Sequence, residues 1–234
     1  MRDVNWFSLS FEFLIVVIGI VAGFQITEWG ERQKLRDLAT QNLSRAIVET
    51  QYNYDLLGQI TERLERELVV FDSVLDRLLE CDTPLTQNEI EDLFQVTNSV
   101  FLPPFQSSQV NGLTQIEYSP FYSSSFLEAL PKYLGEYDRV VKDTKMNHDD
   151  FFDWQFALEM LNEVNISKVE PGQGEPGGFT VSANLDDLCE NPESKKRVWR
   201  LNLLMLANKN YYEYFKLRVE EFSPILQAQL QLIL

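Results

Sequence analysis

From Trp6 to Ile26 the chain reads WFSLSFEFLIVVIGIVAGFQI, and Glu12 is the only ionisable side chain in that run. A helix crossing the hydrocarbon layer of a bilayer needs about 20 predominantly apolar residues. This stretch reaches that length, so residues 1–29 are expected to form a transmembrane anchor. Trp6 and Trp29 bracket it, roughly 35 Å apart at the helical rise. Indole rings favour the two headgroup layers, which makes both residues candidate membrane-interface anchors. A cleaved leader is the competing reading, with Ala22 and Gly23 as small residues near a cut. The acidic Asp3 and Glu12 oppose it, because leaders open on basic residues.

Face pattern says more than hydrophobicity does. At about 100° per residue, Glu12, Gly19 and Gly23 share one stripe of the helix, and Ser8 and Val16 lie close to it. Two small residues four apart let a second backbone approach closely. A carboxylate at membrane depth normally faces protein or water rather than lipid. Ser8, Glu12, Val16, Gly19 and Gly23 therefore form the expected transmembrane interface. Its partner would be another membrane helix, from a second copy or from a subunit of a larger membrane complex. The plainer alternative is a Glu12 that snorkels beside incidental glycines.

Charge separates this segment from the rest. The full sequence carries 20 Lys and Arg against 36 Asp and Glu, a net charge of −16. In residues 1–36 Arg2, Arg32, Lys34 and Arg36 balance Asp3, Glu12, Glu28 and Glu31, so the whole excess lies in 37–234. Nucleic acid is not an expected partner, since phosphate contacts need clustered Lys and Arg. Membrane lipid is.

The run FEFLIVVIGIVAGFQITEWGE (Phe11–Glu31) resembles the N-terminal signature of an uncharacterised bacterial family of single-span membrane proteins. In that signature an acidic residue precedes LVVIGI, followed by a small residue, Gln, Trp and Glu. Glu12, Val16, Val17, Gly19, Ile20, Gln25, Trp29 and Glu31 match it. Fainter echoes lie in Phe126–Val140 and Leu185–Leu201. Thr27-Glu28 stands where the family usually has Asn before the Trp, and the basic leader is shorter. The resemblance implies a helical domain on a bacterial inner-membrane anchor, with the bulk of the chain in the periplasm. It implies no activity. Charge counting leaves the orientation open, because Arg32, Lys34 and Arg36 follow the span but long domains translocate regardless of charge. Cys81 and Cys189 could pair in an oxidising compartment or stay as buried thiols.

Beyond Trp29, apolar residues recur in steps of three and four at Leu35, Ala39, Leu43, Ala46, Tyr54, Leu57, Leu64, Leu68, Phe71, Leu75 and Leu78. This predicts an amphipathic helix over about 30–80, with Gly30 and Gly58 as places to bend. Thr86-Gln-Asn-Glu89 reads as a capping box opening a short helix over 86–97. Pro103-Pro104, Gly112 and Pro120 mark 98–123 as irregular, with about one helical turn. A helix is expected over 124–164, kinked or restarted near Pro131. The Gly/Pro-rich Val169–Phe179 places a loop or hairpin within 165–190. Asn191-Pro192 then opens a last helix over 191–234, bent at Pro224. The expected fold class is all-α: a transmembrane helix continuing into a long amphipathic helix, followed by an antiparallel helical bundle. Residues 30–234 form one acidic extramembrane domain.

Catalytic templates fail for lack of parts. His148 is the only histidine, and no phosphate-binding glycine motif or nucleophile elbow occurs. His148, Asp149 and Asp153 could hold a divalent ion only with ligands that no pattern nominates. The aromatic groups Phe151/Phe152/Trp154/Phe156 and Tyr211/Tyr212/Tyr214/Phe215 read as core before pocket. The basic Lys195-Lys196-Arg197 with Arg200 is expected to pair with acids of the same domain. The apolar tail QLQLIL is expected to dock. No metal or other cofactor is expected, and the chain reads as a non-enzymatic scaffold or accessory subunit. The alternative is a helical ligand sensor signalling through a partner.

Overall fold

Helix α1 runs from Trp6 to Glu80 without a break, about 110 Å at the helical rise. The computed structural model describes residues 6–81, 86–99, 102–159, 164–169, 178–183 and 185–234. Within these, the side chains of 6–10, 97–99, 156–159, 164–169, 178–183 and 185–187 lie outside the description. Gly30 and Gly58 do not bend α1 into separate helices, since a lone glycine costs only about 1 kcal/mol against alanine. Every apolar position expected from Leu35 onward is buried, apart from Leu35 and Tyr54, which are half-buried.

Two more long helices carry the same rhythm. In α4 (Ser124–Glu159) the buried residues include Phe126, Leu130, Tyr133, Tyr137, Val140, Thr144, Asn147 and Phe151. In α6 (Pro192–Ile233) they include Val198, Leu201, Met205, Asn208, Tyr212, Phe215, Val219, Phe222, Leu226, Gln229 and Ile233. Steps alternating between three and four keep one seam facing the neighbours, as in a coiled coil. Helix α6 packs against both α1 and α4. It descends as they ascend. Tyr54 meets Glu220, Glu65 meets Lys209 and Asp72 meets Asn202, while Ser123, just before α4, meets Gln229 and Asn147 of α4 meets Asn208. Aromatic rings fill the centre, with Tyr133 stacked on Phe222 at 4.4 Å and Phe105 edge-on to Tyr212 and Phe215.

Between α2 (Gln87–Ser99) and α4 the chain descends along α1. Gln106 bonds Asn53, Gln109 bonds Glu49, and Asn42 donates to the Tyr118 hydroxyl. This stretch is more ordered than one helical turn, holding α3 (Ser108–Gly112) and a 3₁₀ helix (Ile116–Phe121). Helix α3 owes its start to Glu49, which is buried. The Gln109 and Val110 amides donate to its carboxylate at 2.9 and 3.0 Å, and the Ser108 hydroxyl at 3.1 Å. Those are N–H groups that a helix start leaves unpaired.

The helical class holds, and the expected loop or hairpin is a hairpin. Helix α4 is described to Glu159, and β1 (Val164–Val169) pairs antiparallel with β2 (Gly178–Ala183), Ile166 opposite Val181, so Val164 is strand where the end of a helix was expected. Helix α5 (Leu185–Glu190) follows within the span expected as loop. Residues 170–177, the heart of the Gly/Pro-rich stretch, lie outside the described residues. Pro131 and Pro224 sit inside continuous helices. Buried Leu130 and Tyr133 flank the first, and Phe222 and Leu226 the second. That packing offsets the missing hydrogen bond. Both expected caps are present. Thr86 and Glu89 exchange backbone-to-side-chain bonds, and Asn191 accepts from the Glu193 amide at 2.9 Å.

Candidate functional site

Every residue from Phe11 to Lys34 is exposed, and burial begins only at Leu35. Phe13, Leu14, Ile15, Val16, Val17 and Ile18 point in successive directions around the axis, so the apolar surface has no polar side. A helix on a soluble domain keeps one apolar stripe, whereas one apolar all round belongs in a core or a membrane. None of the described residues covers it. By length and composition it is the one helix among the described residues able to cross a membrane.

The expected interface positions fall on this exposed helix. Glu12, Val16, Gly19 and Gly23 are exposed, and a Cβ added at either glycine would meet nothing within 4 Å. Trp6 and Ser8 are helical, but their side chains lie outside the description. Trp29 is exposed at the upper end of the span.

Just above it lies the foot of the bundle. The Arg36 guanidinium donates from Nε to the Ile233 carbonyl at 2.9 Å, and from Nη2 to the same oxygen, closing the end of α6. Gln229, itself buried, accepts from the Ser123 amide at 2.8 Å and donates to the Phe121 carbonyl at 3.1 Å. The apolar tail thus docks along one edge: Ile233 is buried and Leu230 half-buried, while Leu232 and Leu234 are exposed. Between α1 and this tail is a notch of about 390 Å³ lined by Trp29, Arg32, Arg36, Phe121 and Leu232.

The far end is fastened differently. Cys81 and Cys189 form a disulfide, their Cα atoms 5.8 Å apart. Cys81 has a φ of 51°, and its amide bonds the Arg77 carbonyl, so it ends α1 as a left-handed cap. Arg77 also pairs with Glu89 of α2. Burial raises the Glu89 carboxyl, but the Thr86 amide and hydroxyl and the Arg77 guanidinium outweigh it and hold it below the usual value. The basic knot of α6 pairs within the domain: Lys196 with Glu193 and Arg200 with Asp150, while Lys196 also lies over the Trp154 ring.

A groove of about 480 Å³ runs between α4 and α6, lined among others by Lys132, Tyr133, Glu136, Tyr214, Arg218 and Glu221. Most of its polar groups are spent on one another. Tyr214 donates to Glu136 at 3.2 Å, Arg218 bonds Glu221 at 2.5 Å, and Arg139 and Arg218 both stack on the Tyr214 ring. The aromatic groups divide accordingly. Phe151, Tyr212 and Phe215 are core, Phe152 is exposed, and Phe156 lies outside the described side chains. Burial pushes the Tyr133 and Tyr212 hydroxyls up to about 12. His148 sits edge-on to Phe152 at 4.6 Å, with Nδ1 3.7 Å from Asp149. Among the described residues no three His, Cys, Asp or Glu side chains converge on a shared ion position.

Sequence reasoning missed Glu49, Asn53, Asn147, Asn208 and Gln229 as buried polar residues. The signal was their placement at core positions of otherwise apolar stripes. It went unread because each partner lies some 50–100 residues away. Comparison of the chain with protein-family models, curated proteins and solved structures finds no match.

Proposed function

We propose that this chain is a single-span membrane protein acting as a non-enzymatic scaffold or accessory subunit, anchored by residues 1–29 and assembling through the Ser8/Glu12/Val16/Gly19/Gly23 face. The observation that carries the reading is the apolar all-round surface from Phe13 to Phe24, continuous with the helix that builds the bundle core. Helix phase adds to it. Counting about 100° per residue, buried Ala39 lies roughly 200° from Gly19, so the glycine stripe faces away from the stripe that α1 buries. A partner helix can therefore approach without meeting the domain.

The bulk of the chain is assigned to the periplasm of a bacterial inner membrane. A disulfide persists in oxidising compartments, and the N-terminal signature resembles that of single-span bacterial proteins. Protease added to intact spheroplasts should cleave the domain if that orientation is right.

Replacing both glycines, Gly19→Leu with Gly23→Leu, is expected to abolish association in mild detergent while leaving domain melting unchanged. Unaltered oligomer size together with unaltered co-purifying proteins would sink the assembly reading. The groove between α4 and α6 favours a second reading, a ligand sensor. Its largely self-paired charges leave few groups to orient a ligand, which is why we rank it below. A ligand-dependent rise in the melting temperature of the full chain across a metabolite panel would reverse that ranking.

A further inference from the structure

Resting on the anchor reading above, we infer that the notch at the foot of the bundle binds the headgroup of an anionic phospholipid. Trp29, Arg32 and Arg36 stand at i, i+3 and i+7 and share one face of α1. That face turns toward the end of α6, where Phe121 and Leu232 complete a cavity of about 390 Å³. The volume lies in the range of small-ligand sites, about 300–1,000 Å³.

Depth matches charge. With Trp29 at the boundary, Arg32 stands about 4.5 Å and Arg36 about 10.5 Å further out. The headgroup layer is roughly 5–7 Å thick on each side of the hydrocarbon, so Arg32 is level with lipid phosphates. Arg36 has two N–H groups committed to the Ile233 carbonyl, and its remaining donors are fixed in place by that bond. Arg32 is exposed, and among the described residues it has no carboxylate partner. Guanidinium groups bind phosphate oxygens through paired, charge-assisted hydrogen bonds. Exposed Leu232 offers an apolar wall toward the acyl region. Glu28, Glu31 and Asp37 are the nearby acids in sequence, and none of them lines this notch. In a domain whose net charge is strongly negative, it is a local cationic cleft placed where an anionic lipid surface begins.

Lys34 supplies the control, because it lies on the opposite face of α1, outside the notch. The full chain in neutral detergent would be titrated with dioleoyl phosphatidylglycerol, dioleoyl phosphatidylcholine or inorganic phosphate, and lipid adducts read by native mass spectrometry. Wild type should retain phosphatidylglycerol over phosphatidylcholine. Arg32→Gln should lower that retention about fivefold, the effect of one basic residue at an anionic surface, and Lys34→Gln should leave it near wild type. Equal losses in the two variants, or equal retention of the two lipids, would overturn the site. Displacement of the lipid by millimolar inorganic phosphate would reassign it to free phosphate and overturn the lipid assignment. Resistance to alkaline carbonate extraction is read in parallel. A chain that stays in the membrane but shows no lipid preference overturns this inference alone. A chain that washes off overturns the anchor reading and this inference with it.

Discussion

Two stretches of one uninterrupted helix make opposite demands. Residues 11–34 of α1 are exposed on every side, whereas 35–80 bury a single stripe against α6, α2 and the segment between α2 and α4. The upper stretch obtains its environment from the chain itself. The lower one obtains none from the described residues, and on the proposed function lipid or another helix supplies it. Continuity matters because a helix transmits rotation as well as position. The phase at Gly19 is tied to the phase at Ala39, so the direction of any partner in the membrane is set by the packing of the bundle above it.

The largest expected effect that separates the two stretches is Phe71→Ala. Phe71 is fully buried in the upper stretch, and truncating a core phenylalanine costs about 3–5 kcal/mol. Denaturant unfolding of the full chain in detergent should show that loss, with membrane retention unchanged. A loss of retention as great as the loss of stability would erase the distinction between the stretches. Breaking the disulfide comes next. The cysteines are 108 residues apart, and a disulfide typically stabilises by about 2–4 kcal/mol, chiefly through the unfolded chain. Reductant should therefore lower the melting temperature of wild type and leave a Cys81→Ser, Cys189→Ser double variant unaffected. Equal sensitivity of both would show that the thiols are not paired.

How much of this was legible follows from the range of each interaction. The stripe from Leu35 to Leu78, the Thr86–Glu89 box and the Asn191-Pro192 start depend on residues within a turn or two of one another, and all were readable. Pro131 does not restart α4 and Pro224 lies within a continuous α6, because packing that no local pattern shows offsets their local cost. The Gly/Pro-rich stretch left loop and hairpin open, and the pairing of Val164–Val169 with Gly178–Ala183 shows the hairpin. Glu49 was unreadable as a cap, since its three donors arrive some sixty residues later. The foot was the least legible region. Arg36 looked like one member of a charged flank, and only the return of α6 after 197 residues makes it the closure of a helix end. Of the candidate interface positions, Glu12, Val16, Gly19 and Gly23 are exposed on α1.

The smallest expected effect probes the top of the upper stretch by pH. Arg77 of α1 pairs with Glu89 of α2, whose carboxyl also closes the capping box with Thr86. Burial acts to raise that carboxyl, and the Thr86 bonds and Arg77 bring it below its ordinary value. A carboxyl depressed on folding contributes stability that is full above the unfolded value, about 4.3, and is lost as pH falls through the folded value. Wild type should therefore lose more stability than Glu89→Gln between about pH 6 and pH 3, because glutamine keeps the cap geometry but cannot titrate. The difference should be a few tenths of a kcal/mol, since the pair is partly open to solvent and screened. Parallel melting curves for the two proteins across that interval would show that the pair carries no charge-dependent stability. The lower stretch supplies the internal reference: Gly19→Leu with Gly23→Leu lies far from Glu89, so it should leave the pH dependence of domain melting unchanged even where it abolishes association.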